Sequence, residues 1–266
     1  MAKYILKSRR EIEMMRRAGQ VARDITLKMA RAVAPGVSTA ELDELAREEM
    51  ERSGAVSGSR NYPTYKPGEG FPGFTCISVN SEIVHGIPST RRVLKEGDIV
   101  TLDVALMLTG YCADTATSVA VGQIGSTAQK LLGVTQSALT MAIENMKPGR
   151  PWSDIARLIQ YHVESNGFNV VREFVGHGVG RSMHEEPKVP NFVTGEGLRG
   201  DFILQPGMTL AVEPMVVAGK RHVKDMPDKW TMVTADGKLA AHFEHTVAMT
   251  DTGVDVLTDG HAPWGL

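Results

Sequence analysis

Apolar residues recur at helical spacing from the start of the chain. Ile12, Met15, Ala18, Ala22, Ile25 and Met29 follow one another at intervals of three and four, which places them on one face and predicts a core-facing helix. Ser8-Arg9-Arg10-Glu11 reads as the capping box that opens it, and Pro35-Gly36 breaks it. Ser38-Thr39-Ala40-Glu41 caps a second helix that ends near Ser53-Gly54. The plan then returns. Ser126-Thr127-Ala128-Gln129 reads as a capping box, a helix runs to Met146, and Pro148-Gly149 breaks it. A fourth helix runs from about Pro151 to Asn166-Gly167. Gly36 and Gly149, like Gly54 and Gly167, stand 113 residues apart.

The stretches that follow each helix pair alternate with period two, as half-buried strands do. Val100, Leu102, Val104 and Leu106 share one face; Thr101, Asp103 and Ala105 share the other. Met208, Leu210 and Val212 oppose Thr209, Ala211 and Glu213 in the same way. Asp103 and Glu213 each fall six residues after a glycine, in Leu94-Lys95-Glu96-Gly97 and Leu204-Gln205-Pro206-Gly207. Asp114 and Glu244 lie on the next strands, beside the small residues Ala116, Ser118, Thr246 and Ala248. The pattern predicts an α/β (α+β) chain built from a duplicated unit of two helices followed by antiparallel strands. The halves would be about 1–122 and 123–266 within a single domain covering 1–266. Each half turns acids toward a face with room for a ligand.

Composition narrows the chemistry. The 266 residues are 42% hydrophobic and 23% charged, with a net charge of -2, and no basic block suggests nucleic acid. No apolar run approaches the ~20 residues of a membrane span. The opening Met-Ala-Lys-Tyr-Ile-Leu-Lys lacks the apolar stretch of a signal peptide. Cys76 and Cys112 make no disulfide framework, so a reducing cytoplasm is expected.

The remaining signal is Gly176-His177-Gly178-Val179-Gly180-Arg181-Ser182-Met183-His184-Glu185-Glu186-Pro187, two histidines in a tightly turning, glycine-rich segment. Any one of Asp103, Asp114, Glu213 and Glu244 alone reads as an ordinary salt-bridge residue. As a set placed symmetrically with His177 they would repel one another in an apolar interior unless neutralised. Two divalent cations balance four carboxylates, and oxygen ligands with one imidazole suit Mn, Fe, Co or Zn. Water on such ions can ionise near pH ~7, so metal-assisted hydrolysis is the expected reaction class. No Gly-Lys-Ser/Thr follows the glycines, His184-Glu185-Glu186-Pro187 is not His-Glu-x-x-His, and no Gly-x-Ser-x-Gly supports a serine nucleophile.

Several segments together resemble type I methionine aminopeptidase. They are Asn80-Ser81-Glu82-Ile83-Val84-His85-Gly86-Ile87-Pro88, Asp103 with Asp114, the histidine segment, Glu213-Pro214-Met215 and Phe243-Glu244-His245-Thr246. The resemblance spans about Ile12 to Val256. It implies the pita-bread fold around a dinuclear metal site, and removal of N-terminal methionine before a small second residue through a metal-bridging hydroxide. It also implies that Asp103 and Asp114 bind metal, that His177 and Glu213 hold the second ion, and that Asp114 and Glu244 bridge. His85 and His184 would contact substrate at the scissile bond, with Glu213 as base. Phe71, Cys76, Met183 and Trp230 would wall the side-chain pocket. Nascent polypeptide N-termini would be the partners, with transient ribosome contact, no membrane or nucleic acid, and a monomeric enzyme.

The sequence departs from the family pattern at Tyr65 to Phe74, at Met183 (often phenylalanine) and at His242 (often glutamine). Two alternatives compete. An X-Pro peptidase of the same fold usually carries an extra N-terminal domain, whereas helix signals here begin at Ser8. A relative that has lost catalysis would be expected to lose ligands, and all five are kept.

Overall fold

Ser8 sits in extended backbone at the head of the first helix; it accepts from Glu11 N–H, and Glu11 reaches back to its own N–H. The structure is a computed structural model that describes residues 4–63, 70–195 and 197–259, so half of the departing stretch, residues 65–69, lies outside the described residues. In chain order come α1 (Arg9–Ala32), α2 (Thr39–Ser53), β1 (Val56–Ser57), β2 (Cys76–Val79), β3 (Glu82–Val84), β4 (Ile99–Leu108) and β5 (Tyr111–Ala120). Next are α3 (Ser126–Glu144), α4 (Trp152–Ser165), β6 (Asn169–Val170), β7 (Gly176–Gly178), β8 (Glu185–Val189), β9 (Thr209–Val212) and β10 (Met215–Val217). The chain continues through β11 (Val223–Asp225), β12 (Met232–Thr234), β13 (Ala240–His242), β14 (Glu244–Met249) and β15 (Val254–Val256).

The main sheet runs β1-β4-β5-β14-β9-β7-β8, with β2 also on β4 and β15 also on β14. Its strand pairs are antiparallel. Two small sheets, β13-β10-β6 and β11-β12-β3, flank it. The apolar faces read from alternation are the ones that pack on helices. Val100, Leu102, Val104 and Leu106 share a core with Ala18, Ala22, Ile25 and Met29 of α1 and Leu42, Ala46 and Met50 of α2. Met208, Leu210 and Val212 share another with Leu131, Leu132, Ala138 and Leu139 of α3 and Trp152, Ile155 and Ile159 of α4. Each large side chain buried this way contributes roughly 1.5–3 kcal/mol. The opposite faces, with Asp103 and Ala211, are thereby turned toward one shared space.

Matching contacts follow the two helix pairs. Gly36 N–H donates to Leu94 C=O and Gly149 N–H to Leu204 C=O, both at 2.8 Å. Thr39 N–H donates to Arg92 C=O and Trp152 N–H to Phe202 C=O. Gly97 N–H meets Val121 C=O, and Gly207 N–H meets Met249 C=O.

Three local expectations are corrected. The third helix has no capping box: Gly125 is its N-cap without a side-chain bond, which makes Ser126 the first helical residue, too far along to cap. That helix ends at Glu144 rather than Met146, where Asn145 N–H still reaches back to Met141, Ala142 and Ile143 carbonyls. Glu213 stands one residue beyond β9. Pro214 has no N–H to extend the ladder, so pairing stops at Val212 and the carboxylate turns into the interior.

Candidate active site

Sheet register assembles the acids. Asp103 pairs with Ala116 and Asp114 with Ala105 across β4 and β5, so the two carboxylates are diagonal neighbours on one face. On the other side of β5, Glu244 also pairs with Ala116. One methyl-sized residue therefore separates Asp103 from Glu244, leaving space between them. Ala211 plays the same part in the other half, opposite Thr246 on one side and His177 on the other. Thr246 ties the strands together, accepting from Asp114 N–H at 3.0 Å and donating to Asp114 C=O at 2.8 Å.

His177 comes close because its neighbours lack side chains. A Cβ on Gly176 would lie 2.3 Å from Ala211 O, and one on Gly178 would lie 2.4 Å from Glu186 O. Its Nδ1 is 2.9 Å from Gly178 C=O, so that nitrogen carries the proton and Nε2 offers its lone pair. Nε2 lies 3.8 Å from Asp114 Oδ2 and 3.6 Å from Glu213 Oε1. Asn191, fully buried, donates to Glu213 C=O at 2.9 Å and fixes where that acid leaves β9.

Asp103, Asp114, His177, Glu213 and Glu244 all line one pocket of about 160 Å³, with His85, His184 and His242. Ligand atoms of Asp114, His177 and Glu244 lie within 4.8 Å of one another. Burial raises the pKa of every acid there. Asp103 and Glu244 are held well above the usual carboxylate range by desolvation and then by their acidic neighbours, and Asp114 is raised by desolvation. Glu213 is pushed up to about 8 by desolvation, with Asp114 adding to the rise. Asp114 Oδ1 and Glu244 Oε1 are buried without a hydrogen-bond partner. Buried, unpartnered carboxylate oxygens around a hollow fit a divalent metal, which would supply the missing charge.

An apolar slot of about 250 Å³ adjoins this pocket and shares His85, Asp103, Asp114 and His184 with it. Phe71, Cys76, Met183 and Trp230 line the slot, together with Gly58, Ser59, Tyr62 and Ala105. Phe71 is 2% exposed and meets Trp230 edge-on at 5.2 Å. Burial and the nearby Asp103 and Asp114 push the Cys76 thiol well up, which suits a wall residue rather than a nucleophile. His85 sits at φ 59 in left-handed backbone, its ring edge-on to Phe174 at 5.5 Å. Desolvation lowers His85 and His184 to about 4, so both are neutral rings near pH 7.

Sequence reasoning missed Tyr62, Asn191 and Phe174. Tyr62 and Asn191 are lone residues with no motif to mark them, and Phe174, three positions before His177, stands just outside the glycine-rich segment. His242 was noticed only as a departure from the family. Its Nε2 lies 3.5 Å from Glu213 Oε2, and neither ring nitrogen has a hydrogen-bond partner.

The family model for metallopeptidase family M24 matches residues 13–251. Methionine aminopeptidase 1 of Bacillus subtilis is 46% identical over 254 residues, covering 96% of this chain and 98% of that one. The crystal structure of methionine aminopeptidase from Thermotoga maritima superposes with a TM-score of 0.90 at 39% identity, covering 97% of this chain and all of that one. The prolidase from Pyrococcus furiosus shares the fold, with a TM-score of 0.75 at 20% identity, and this chain spans 66% of it. The chain belongs to metallopeptidase family M24 and, within it, to the methionine aminopeptidases. Its fold is the pita-bread fold of those enzymes.

Proposed function

We propose that this protein is a metal-dependent aminopeptidase that hydrolyses N-terminal methionine from proteins and prefers a small second residue. One observation carries the reading: the acidic pocket and the apolar slot share His85, Asp103, Asp114 and His184. A terminal side chain seated in the slot places its own carbonyl beside the two histidines and the acids. Divalent ions, two in number and drawn from Mn, Fe, Co or Zn, would be held by Asp103, Asp114, His177, Glu213 and Glu244. Bound there, they supply positive charge and a water acidified toward pH ~7.

The chain's own groups do the rest. A Glu213 carboxylate oxygen takes the proton of the attacking water. His85 and His184, neutral at pH 7, donate N–H bonds to the carbonyl oxygen as it gains charge. The acids also receive the free terminal amine, so an acetylated peptide lacks the group they bind. Substrates are nascent N-termini, met as a monomer in the cytoplasm with transient ribosome contact; both cysteines are free and buried, and no described helix is long and apolar enough to cross a membrane. Matched contacts after the two helix pairs support one catalytic unit of related halves, 1–122 and 123–266.

Profiling X-Ala-Ser peptides beside Ala-Pro-Ala, with and without Mn or Co, tests the function. Methionine at X should be cleaved fastest and only with added ion. Equal rates for Met, Phe and Lys would reject the methionine slot, and preference for Ala-Pro-Ala would make the chain an X-Pro peptidase.

A further inference from the structure

We propose that Tyr62 is a positioning residue for His184, holding its proton on Nε2 so that the ring meets substrate as a hydrogen-bond donor. This rests on the role given to His184 above. The Tyr62 hydroxyl lies 2.8 Å from His184 Nδ1, and the two rings meet edge-on at 5.4 Å. A neutral imidazole has one N–H and one lone pair. Between a phenol and an imidazole, the phenol is the better donor and the ring nitrogen the better acceptor. The hydroxyl therefore donates to Nδ1, and the ring proton goes to Nε2. Nε2 lies across the ring from Tyr62. His184 lines the acidic pocket, and Tyr62 lines only the slot.

His177 shows the opposite arrangement, with its ring centroid 4.3 Å away. The Gly178 carbonyl beside its Nδ1 can only accept, so His177 keeps a proton there and presents a lone pair at Nε2. Two touching histidines are thus set to opposite tautomers by what stands behind them. A carbonyl makes one a ligand; a hydroxyl makes the other a donor. Without the hydroxyl, the exposed His184 Nδ1 has no other partner among the described residues, and water, which can donate or accept there, fixes no tautomer, so part of the population would present a lone pair to the substrate oxygen.

Nitrogen-15 NMR of the zinc-loaded, histidine-labelled protein reads the tautomer directly, with His184→Ala identifying the resonances. Wild-type His184 should show an unprotonated, hydrogen-bonded Nδ1 and a protonated Nε2. In Tyr62→Phe, which keeps the ring, the two forms should mix. On Met-Ala-Ser, kcat should fall about 5- to 10-fold with KM changed less than about twofold, the size of one lost hydrogen bond expressed in the transition state. A wild-type proton on Nδ1 overturns the proposal, as does a Tyr62→Phe protein with unchanged tautomer and kcat. A rise in KM at constant kcat also overturns it, by making Tyr62 a slot wall alone. A wild-type protein inert toward Met-Ala-Ser sinks the aminopeptidase reading instead, while the wild-type tautomer still decides the Tyr62–His184 pairing.

Discussion

Stripping the ions should make stability fall as pH rises from 6.5 to 8. Glu213 has an ordinary pKa of 4.5 and is pushed up to about 8 in the ion-free fold, where its side chain is 12% exposed. Across that window the unfolded chain has already lost this proton while the folded one keeps it. Folding therefore takes up a proton, and stability declines with pH at up to ~1.4 kcal/mol per unit. From 6.5 to 8 the loss from Glu213 alone is about 2 kcal/mol. Asp103 and Glu244, raised by the same burial, pull in the same direction. His85, His184, His242 and His245, each lowered to about 4, act oppositely over the lower part of the window, because an unfolded histidine is still half-protonated at 6.5. They offset much of the Glu213 loss, so the net fall is that of the three acids together less this opposing rise. Bound cations keep the carboxylates ionised in the fold and remove the decline. Thermal unfolding of exhaustively chelated protein, at half-unit steps beside protein saturated with Mn, measures the difference. The chelated protein should lose a few °C in Tm over the window, at roughly 2–4 °C per kcal/mol of net loss for a chain of this size. A flat or rising Tm without ions would refute the charge-compensation argument.

Asp114→Asn should release bound ion and lower kcat/KM by at least ~100-fold, since it removes a shared charge from the centre of the cluster; full activity in metal-free buffer would end the metal mechanism. His85→Ala and His184→Ala should retain their metal by elemental analysis while kcat/KM falls by about 100-fold. Metal lost in proportion to activity would make that histidine a ligand. Gly58→Ala would put a Cβ 2.4 Å from Met183 Cε and 3.2 Å from Ala105 Cβ, filling the slot. Cleavage of Met-Ala-Ser relative to Ala-Ala-Ser should drop about 10-fold or more, the worth of a methylene in an apolar slot; an unchanged ratio would mean that the terminal side chain lies elsewhere.

Much of this was readable from local pattern. Period-two alternation put Asp103 on the opposite face from Leu102 and Val104, and the capping residues Ser8 and Ser38 are where the helices begin. Alternation states which way a side chain points but not which strand lies beside it. Nothing in the sequence says that Ala116 stands between Asp103 and Glu244, because that depends on β14 pairing with β5 across the chain. For the same reason Tyr62 could not be matched to His184, 122 residues away. The misread cap at Ser126 has a local cause. A glycine with extended backbone can occupy the N-cap without any side-chain bond, and a serine one place later looks like the cap.

The place of β14 in the sheet also dictates when the site can exist. It lies between β5 and β9, and its Glu244 C=O accepts from Thr115 Oγ1, 129 residues back in the chain. During synthesis Asp103 and Asp114 emerge early, on strands that can zip together as a hairpin. Their neighbour at Ala116 arrives only after a long loop has been closed, the slow kind of pairing in a folding chain. Until then the edge of β5 is open and the acids have no counterpart. An enzyme that trims the first residue of other proteins cannot work until its own β14 has been made and has found its place.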